Sequence, residues 1–104
     1  MRVQFCPEAA AELAALDQRE RIAMLAAIEK LQVLGDQLPA PHSSAVMGAS
    51  GTLRELRPRA GRSRWRAFYR RVGDAMVIGA IGPEATVNRA GYNRAADAAL
   101  DRLA

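Results

Sequence analysis

The chain has 104 residues, of which half are hydrophobic but only five are aromatic, with one cysteine and a net charge of +4. That length suits one domain, residues 1–104, with a modest core and no separate regulatory module. The lone Cys6 excludes an internal disulfide and a cysteine zinc cluster, and no apolar run reaches a membrane span. Met1 to Phe5 leads directly into an amphipathic segment, not a signal peptide, so the expectation is a soluble cytoplasmic protein with no membrane partner.

Arg2 to Phe5 alternates polar and apolar residues and reads as a short strand, ended by Pro7, which also suits the first turn of a helix. Glu8 to Leu16 is helical by composition. Asp17 stands three residues before Glu20 in a capping-box arrangement, so a second helix starts there and stops at Gly35. Ile22, Leu25, Ile28 and Leu31, widened by Met24 and Leu34, are expected to form its apolar stripe, with Leu13 and Leu16 of the first helix facing it. Asp36 to Gly51, rich in Pro, Ser and Gly, reads as a loop. It holds the only histidine, His42, expected as an exposed loop side chain.

Thr52 to Ile81 is the most informative stretch. Leu53 to Arg57 is a strand candidate closed by Pro58, and Arg64 to Val72 is a second, carrying Trp65, Phe68, Tyr69 and Val72. Gly73 and Asp74 supply a tight hairpin turn, and the apolar run Ala75 to Ile81 suits a strand covered on both faces, hence a central one. Between Arg54 and Arg71 lie eight arginines against the single acid Glu55, which is read as their ion-pair partner more than as a general base. Residues 1–50 carry a balance of −2 and residues 51–104 one of +6, so the second half is the electrostatic footprint for a nucleic acid or an acidic protein. Fourteen of the fifteen basic residues are arginine; the planar guanidinium fork matches phosphate oxygens and stacks on bases.

Gly82 to Asn88 reads as irregular, and Tyr92, Ala96, Ala99, Leu100 and Leu103 fall on one face of a closing helix. The expected fold is α+β, in the order β-α-α-β-β-β-α, with a small antiparallel or mixed sheet of about four strands and a helical hairpin on one face. No phosphate-loop, dinucleotide or metal-ligand spacing is present, so neither a cofactor nor a metal is expected.

That element order, with Leu53-Arg54-Glu55-Leu56-Arg57 followed by Trp65-Arg66-Ala67-Phe68-Tyr69 and a turn, resembles the RelE/ParE toxin superfamily, and within it the HigB-like, phage-derived branch. The resemblance implies the toxin of a bacterial type II toxin-antitoxin system: a metal-independent endoribonuclease that cleaves mRNA, in many relatives on the ribosome, and is neutralised by an antitoxin from the adjacent gene, a small helix-turn-helix protein. It assigns catalytic roles to Arg66, at the scissile phosphate, to Arg54 and Arg57, and to Tyr92, with Arg89 as the basic RNA contact just before it; the arginine cluster adds Arg59, Arg62 and Arg64 as expected RNA contacts. HigB-like relatives carry a lysine pair after the apolar strand, where this chain has Pro83-Glu84-Ala85. A ParE-like protein that binds DNA gyrase without nuclease chemistry, and a catalytically inactive relative, are the alternatives.

Overall fold

The first two helices follow from their ends. In the computed structural model, which describes residues 1–48 and 53–104, strand β1 (Arg2–Phe5) runs into helix α1 (Pro7–Ala15), with Pro7 in the first turn, where an N–H would have no helical partner. Helix α2 (Gln18–Leu34) is capped as expected, Asp17 Oδ1 accepting from the Glu20 N–H at 2.9 Å. The reciprocal half of the box is spent elsewhere: Glu20 Oε1 accepts from Ser63 Oγ at 3.0 Å and ties α2 to the loop before the fourth strand. Gly35, at φ 52°, ends the helix in the left-handed region that glycine tolerates.

The buried stripe of α2 is Met24, Ala27, Ile28 and Leu31, whereas Ile22, Leu25 and Leu34 are exposed. The expected row of three-residue steps is thereby corrected. At 3.6 residues per turn, each step of three falls about 60° short of a full rotation, so such a row winds off the buried face; alternating steps of three and four stay on it.

Among the described residues the sheet has five strands, not about four, in the order β1-β5-β4-β3-β2: β2 (Ser43–Ala45), β3 (Arg54–Leu56), β4 (Trp65–Val72) and β5 (Ala75–Pro83). The β1–β5 pair is parallel and the others antiparallel. The additional strand, β2, sits in the expected loop. Ser43-Ser44-Ala45 has no strand propensity to reveal it, and it becomes a strand by pairing with β3, from Ser43 opposite Leu56 to Ala45 opposite Arg54. A buried hydrogen bond of 2.6 Å between the Ser43 and Tyr69 hydroxyls pins it. The end of that loop, residues 49–51, and Thr52 at the head of the arginine-rich stretch lie outside the described residues.

Gly73 and Asp74 form the expected two-residue turn between β4 and β5, with positive φ at Gly73 alone. Opposite β4, Phe68 pairs with Ala80 and Tyr69 with Ile78, which leaves Gly79 as an extra residue, a β-bulge. The bulge resets the alternation. Met76, Ile78 and Ile81 face α1 and α2, while Val77 and Ala80 face helix α3 (Arg89–Arg102). The backbone groups it strands are satisfied by side chains: Gly79 O accepts from Cys6 Sγ and Arg102 Nη1, and Glu12 Oε1 accepts from the Ile81 N–H at 2.9 Å.

The sheet is thus covered on both faces, and β5, between β1 and β4, is interior as its apolar sequence implies. Core burial of Phe68 and of Leu56 stabilises the fold by about 1.5–3 kcal/mol each. Helix α3 lies unusually close to β5: a Cβ placed on Gly82 would stand 2.4 Å from the Ala95 Cβ. No helix among the described residues is long and apolar enough to cross a membrane.

Candidate functional site

Alternation along β3 divides the expected site. Glu55 points to the α3 face, opposite Phe68, while Arg54, opposite Tyr69, points to the α1–α2 face, where its Nε donates to Ser43 Oγ at 3.0 Å. Arg54 lies in a cleft with Asp36, Tyr69 and Arg71, across the sheet from Tyr92. The pleat separates two residues that are adjacent in sequence.

On the α3 face, a cleft of about 320 Å³ gathers Arg57, Arg66, Arg89 and Tyr92 with Glu55 and Glu84, closed at its rim by Ser44, Met47 and Asn93. Each member is delivered by a separate device. Asn88 caps α3, its Oδ1 accepting from the Gly91 N–H at 2.9 Å, and Tyr92 follows one turn later with its ring edge-on to Phe68, centroids 5.0 Å apart. The Tyr92 hydroxyl donates to Glu55 Oε2. The exposed Arg89 guanidinium lies 5.9 Å from the Tyr92 ring centroid. Glu55 Oε1 also lies 3.5 Å from Arg57 Nε and 3.8 Å from Arg66 Nε. Arg57 Nε is buried without a hydrogen-bond partner among the described residues.

Arg66 departs most from expectation. Expected from the resemblance at the scissile phosphate, it is 2% exposed. Its Nη1 donates to Ser63 O at 2.7 Å and Trp65 O at 2.9 Å, and its Nη2 to Gly61 O at 3.2 Å and Glu84 Oε2 at 3.0 Å. The guanidinium therefore folds the loop before β4 around itself. Burial, then the charge of Arg57, pulls its pKa below the ordinary arginine range, against the raising influence of Glu55 and Glu84.

Tyr92 is shifted upward, by burial first, then by the hydrogen bond and the charge of Glu55. Near neutral pH its hydroxyl is a proton donor held against a carboxylate, not a base.

The remaining arginines lie elsewhere. Arg59 and Arg62 are exposed in and just after the 3₁₀ turn Pro58–Gly61, and Arg64 is exposed beside Trp65. Arg59 and Ala60 both occupy the left-handed region, at φ 56° and 55°. His42, half-buried, borders a separate cleft of about 310 Å³ with Arg19, Lys30 and Arg59 against α2; among the described residues only Arg57 lines both that cleft and the Tyr92 cleft.

The cleft residue that sequence reasoning missed is Glu84. It presents a carboxylate to Arg66 while its backbone N–H donates to Arg64 O at 2.8 Å. Its signal was available, since it is the only acid between Asp74 and Asp97. Three guanidiniums, two carboxylates and a protonated phenol can together bind an anion and move a proton beside it. Among the described residues no group of three or more His, Cys, Asp or Glu is placed to hold a metal ion.

A search of curated proteins finds no match to the chain. A family profile described as "Phage derived protein Gp49-like (DUF891)" matches residues 11–81, from within α1 to near the end of β5, and so includes Glu55, Arg57 and Arg66 but stops short of Glu84, Arg89 and Tyr92. This is a toxin-like family, and membership suggests an antitoxin partner. With more than half of its length matched, the chain belongs to the phage-derived Gp49-like family, within the RelE/ParE-like toxin superfamily.

Proposed function

We propose that this protein is the HigB-like toxin of a type II toxin-antitoxin pair and cleaves mRNA without a metal, at the cleft around Tyr92. The observation that carries the reading is the convergence of Arg57, Arg66 and Arg89 on the hydrogen-bonded pair Tyr92–Glu55. RNA brings its own nucleophile. A 2′-hydroxyl attacks the adjacent phosphorus, the bond from phosphorus to the 5′-oxygen breaks, and a 2′,3′-cyclic phosphate is left.

In this reading Arg57 and Arg89 contact the phosphate oxygens, and Arg66 acts from behind as a positioning charge. Glu55 takes the proton from the 2′-hydroxyl and Tyr92 gives its own to the departing 5′-oxygen. Their hydrogen bond returns the proton from Glu55 to Tyr92, so the relay is balanced. Arg59, Arg62 and Arg64 guide the RNA backbone from outside the cleft.

Purified protein incubated with a defined mRNA in a chelator tests this directly. Fragments ending in 2′,3′-cyclic phosphate, reduced by Arg57→Ala and Arg89→Ala, are expected; intact RNA with and without ribosomes would refute it. One observation favours the second reading, a ParE-like inhibitor of DNA gyrase: both terminal nitrogens of Arg66 are already committed to protein acceptors. A supercoiling assay with gyrase separates the two, since inhibition without RNA cleavage supports only the latter.

A further inference from the structure

The N-terminal turn of α3 separates two clefts. On one side are Arg89, Tyr92 and Asn93; on the other, Gly91, Arg94, Ala95 and Ala98 line a cleft of about 520 Å³ together with Arg64 and Trp65 at the start of β4. Pro83 and Val87 of the connection between β5 and α3 border this second cleft, and Glu84 and Thr86 of the same connection border the first, so a chain leaving one would enter the other over that turn.

Its chemistry is that of a stacking platform with phosphate clamps. Trp65 packs one side on the core and remains half-exposed. Arg64 and Arg94 are exposed, and neither has an acid within ion-pair distance among the described residues. Among the described residues the one acid lining the cleft, Glu12, is neutralised by Arg102 at 3.1 Å and occupied by the Ile81 N–H. A half-exposed indole that shares one cleft with two guanidiniums suits single-stranded nucleic acid, whose bases stack and whose phosphates alternate with them.

We propose that the Trp65–Arg64–Arg94 cleft is a second RNA subsite, holding an unpaired base on the indole and the neighbouring phosphates on the two arginines, outside the strand segment in the Tyr92 cleft. The proposal rests on the reading of the Tyr92 cleft as an RNA site. It assigns this cleft to affinity and to the choice of flanking sequence, not to bond cleavage.

Trp65 is the only tryptophan in the chain, so its fluorescence reports on this cleft alone. A ten-nucleotide 2′-O-methyl RNA, which lacks the nucleophile and stays intact, is titrated into the full-length protein, with anisotropy of a terminal dye reporting binding and indole emission reporting contact at Trp65. Binding should quench the indole. Arg64→Ala with Arg94→Ala should weaken affinity about tenfold or more, and each substitution should lower the slope of log affinity against log salt by about 0.7. Binding without quenching, with affinity and salt slope unchanged in the double variant, would overturn the subsite while leaving the RNA reading intact. Absence of any binding would remove both. A glutamate decapeptide that quenches Trp65 as tightly as the RNA would assign the cleft to an acidic protein segment instead.

Discussion

The hydroxyl of Tyr92, in the first turn of α3, donates to the carboxylate of Glu55 on β3, thirty-seven residues earlier in the chain. A helix terminus is thereby fastened to a strand three positions along the sheet from β1, and the phenol is oriented toward three arginines. Tyr92→Phe removes only this bond and leaves the edge-on contact with Phe68. It should cost about 1.5–3 kcal/mol of stability at most, the range for a hydrogen bond to a charged group, and RNA cleavage should fall by about tenfold or more. His42→Ala, in the separate cleft against α2, should leave cleavage unchanged. A growth-arrest assay comparing the two substitutions checks the pair, and the reverse ranking would move the site to the His42 cleft.

Alkaline titration follows from the same contact. Burial and Glu55 raise the Tyr92 pKa in the folded protein above its ordinary value of 10.0. The native state therefore holds that proton more tightly than the unfolded chain, so the stabilisation is complete below pH 10.0 and is lost as pH rises from there toward the folded value. Absorbance of the phenolate should show one component titrating above the ordinary tyrosine range, and Tyr92→Phe should abolish that component.

Arg66→Ala should unfold much of the protein before it informs on catalysis. The substitution strands the carbonyls of Gly61, Ser63 and Trp65 and leaves Glu84 without its buried counter-charge. Breaking such a buried group by removing one partner costs about 3–5 kcal/mol. Arg66→Lys should fail nearly as badly, because an ammonium on a single stem cannot reach four acceptors set by a planar fork. Thermal or urea melts check both, and a near-native midpoint for Arg66→Ala would contradict the geometry.

Gly82→Ala tests the closeness of α3 to β5. The added methyl would lie 2.4 Å from the Ala95 Cβ, so the helix must move, at about 1–3 kcal/mol. Ala95→Gly alone should cost about 1 kcal/mol through helix propensity. Combined with Gly82→Ala it should restore much of the loss, a favourable coupling that a double-mutant cycle measures directly.

Glu12→Gln retains the shape of the side chain at the bulge but weakens its grip on Arg102. Because the amide oxygen can still accept from the Ile81 N–H, the loss should stay near 1 kcal/mol, whereas Glu12→Ala, which orphans that donor, should cost about 1–3 kcal/mol. Equal midpoints for the two variants would argue against a role for the hydrogen bond from the Ile81 N–H to Glu12.

Local chemistry was enough to place both helices of the hairpin, the strands around Arg54, Arg66 and Ile78, the Gly73-Asp74 turn and the closing helix, because each is written in residues close together: Asp17 as a cap, Pro7 and Pro58 as breaks, an apolar run for an interior strand. The arginine concentration on the second half was equally plain. What the chain could not declare by itself was which of those arginines share a surface. That depends on the pleat, which sends Arg54 and Glu55 to opposite faces, and on the bulge at Gly79, which resets the alternation along β5. It depends also on burial: Arg66 and the exposed Arg64 are the same residue type two positions apart at the start of β4, and the loop carbonyls folded over one of them make it interior. Strand β2 and the pairing of Tyr92 with Glu55 belong to the same class, since both are contacts between distant segments, and their free energy comes from partners that local sequence does not contain.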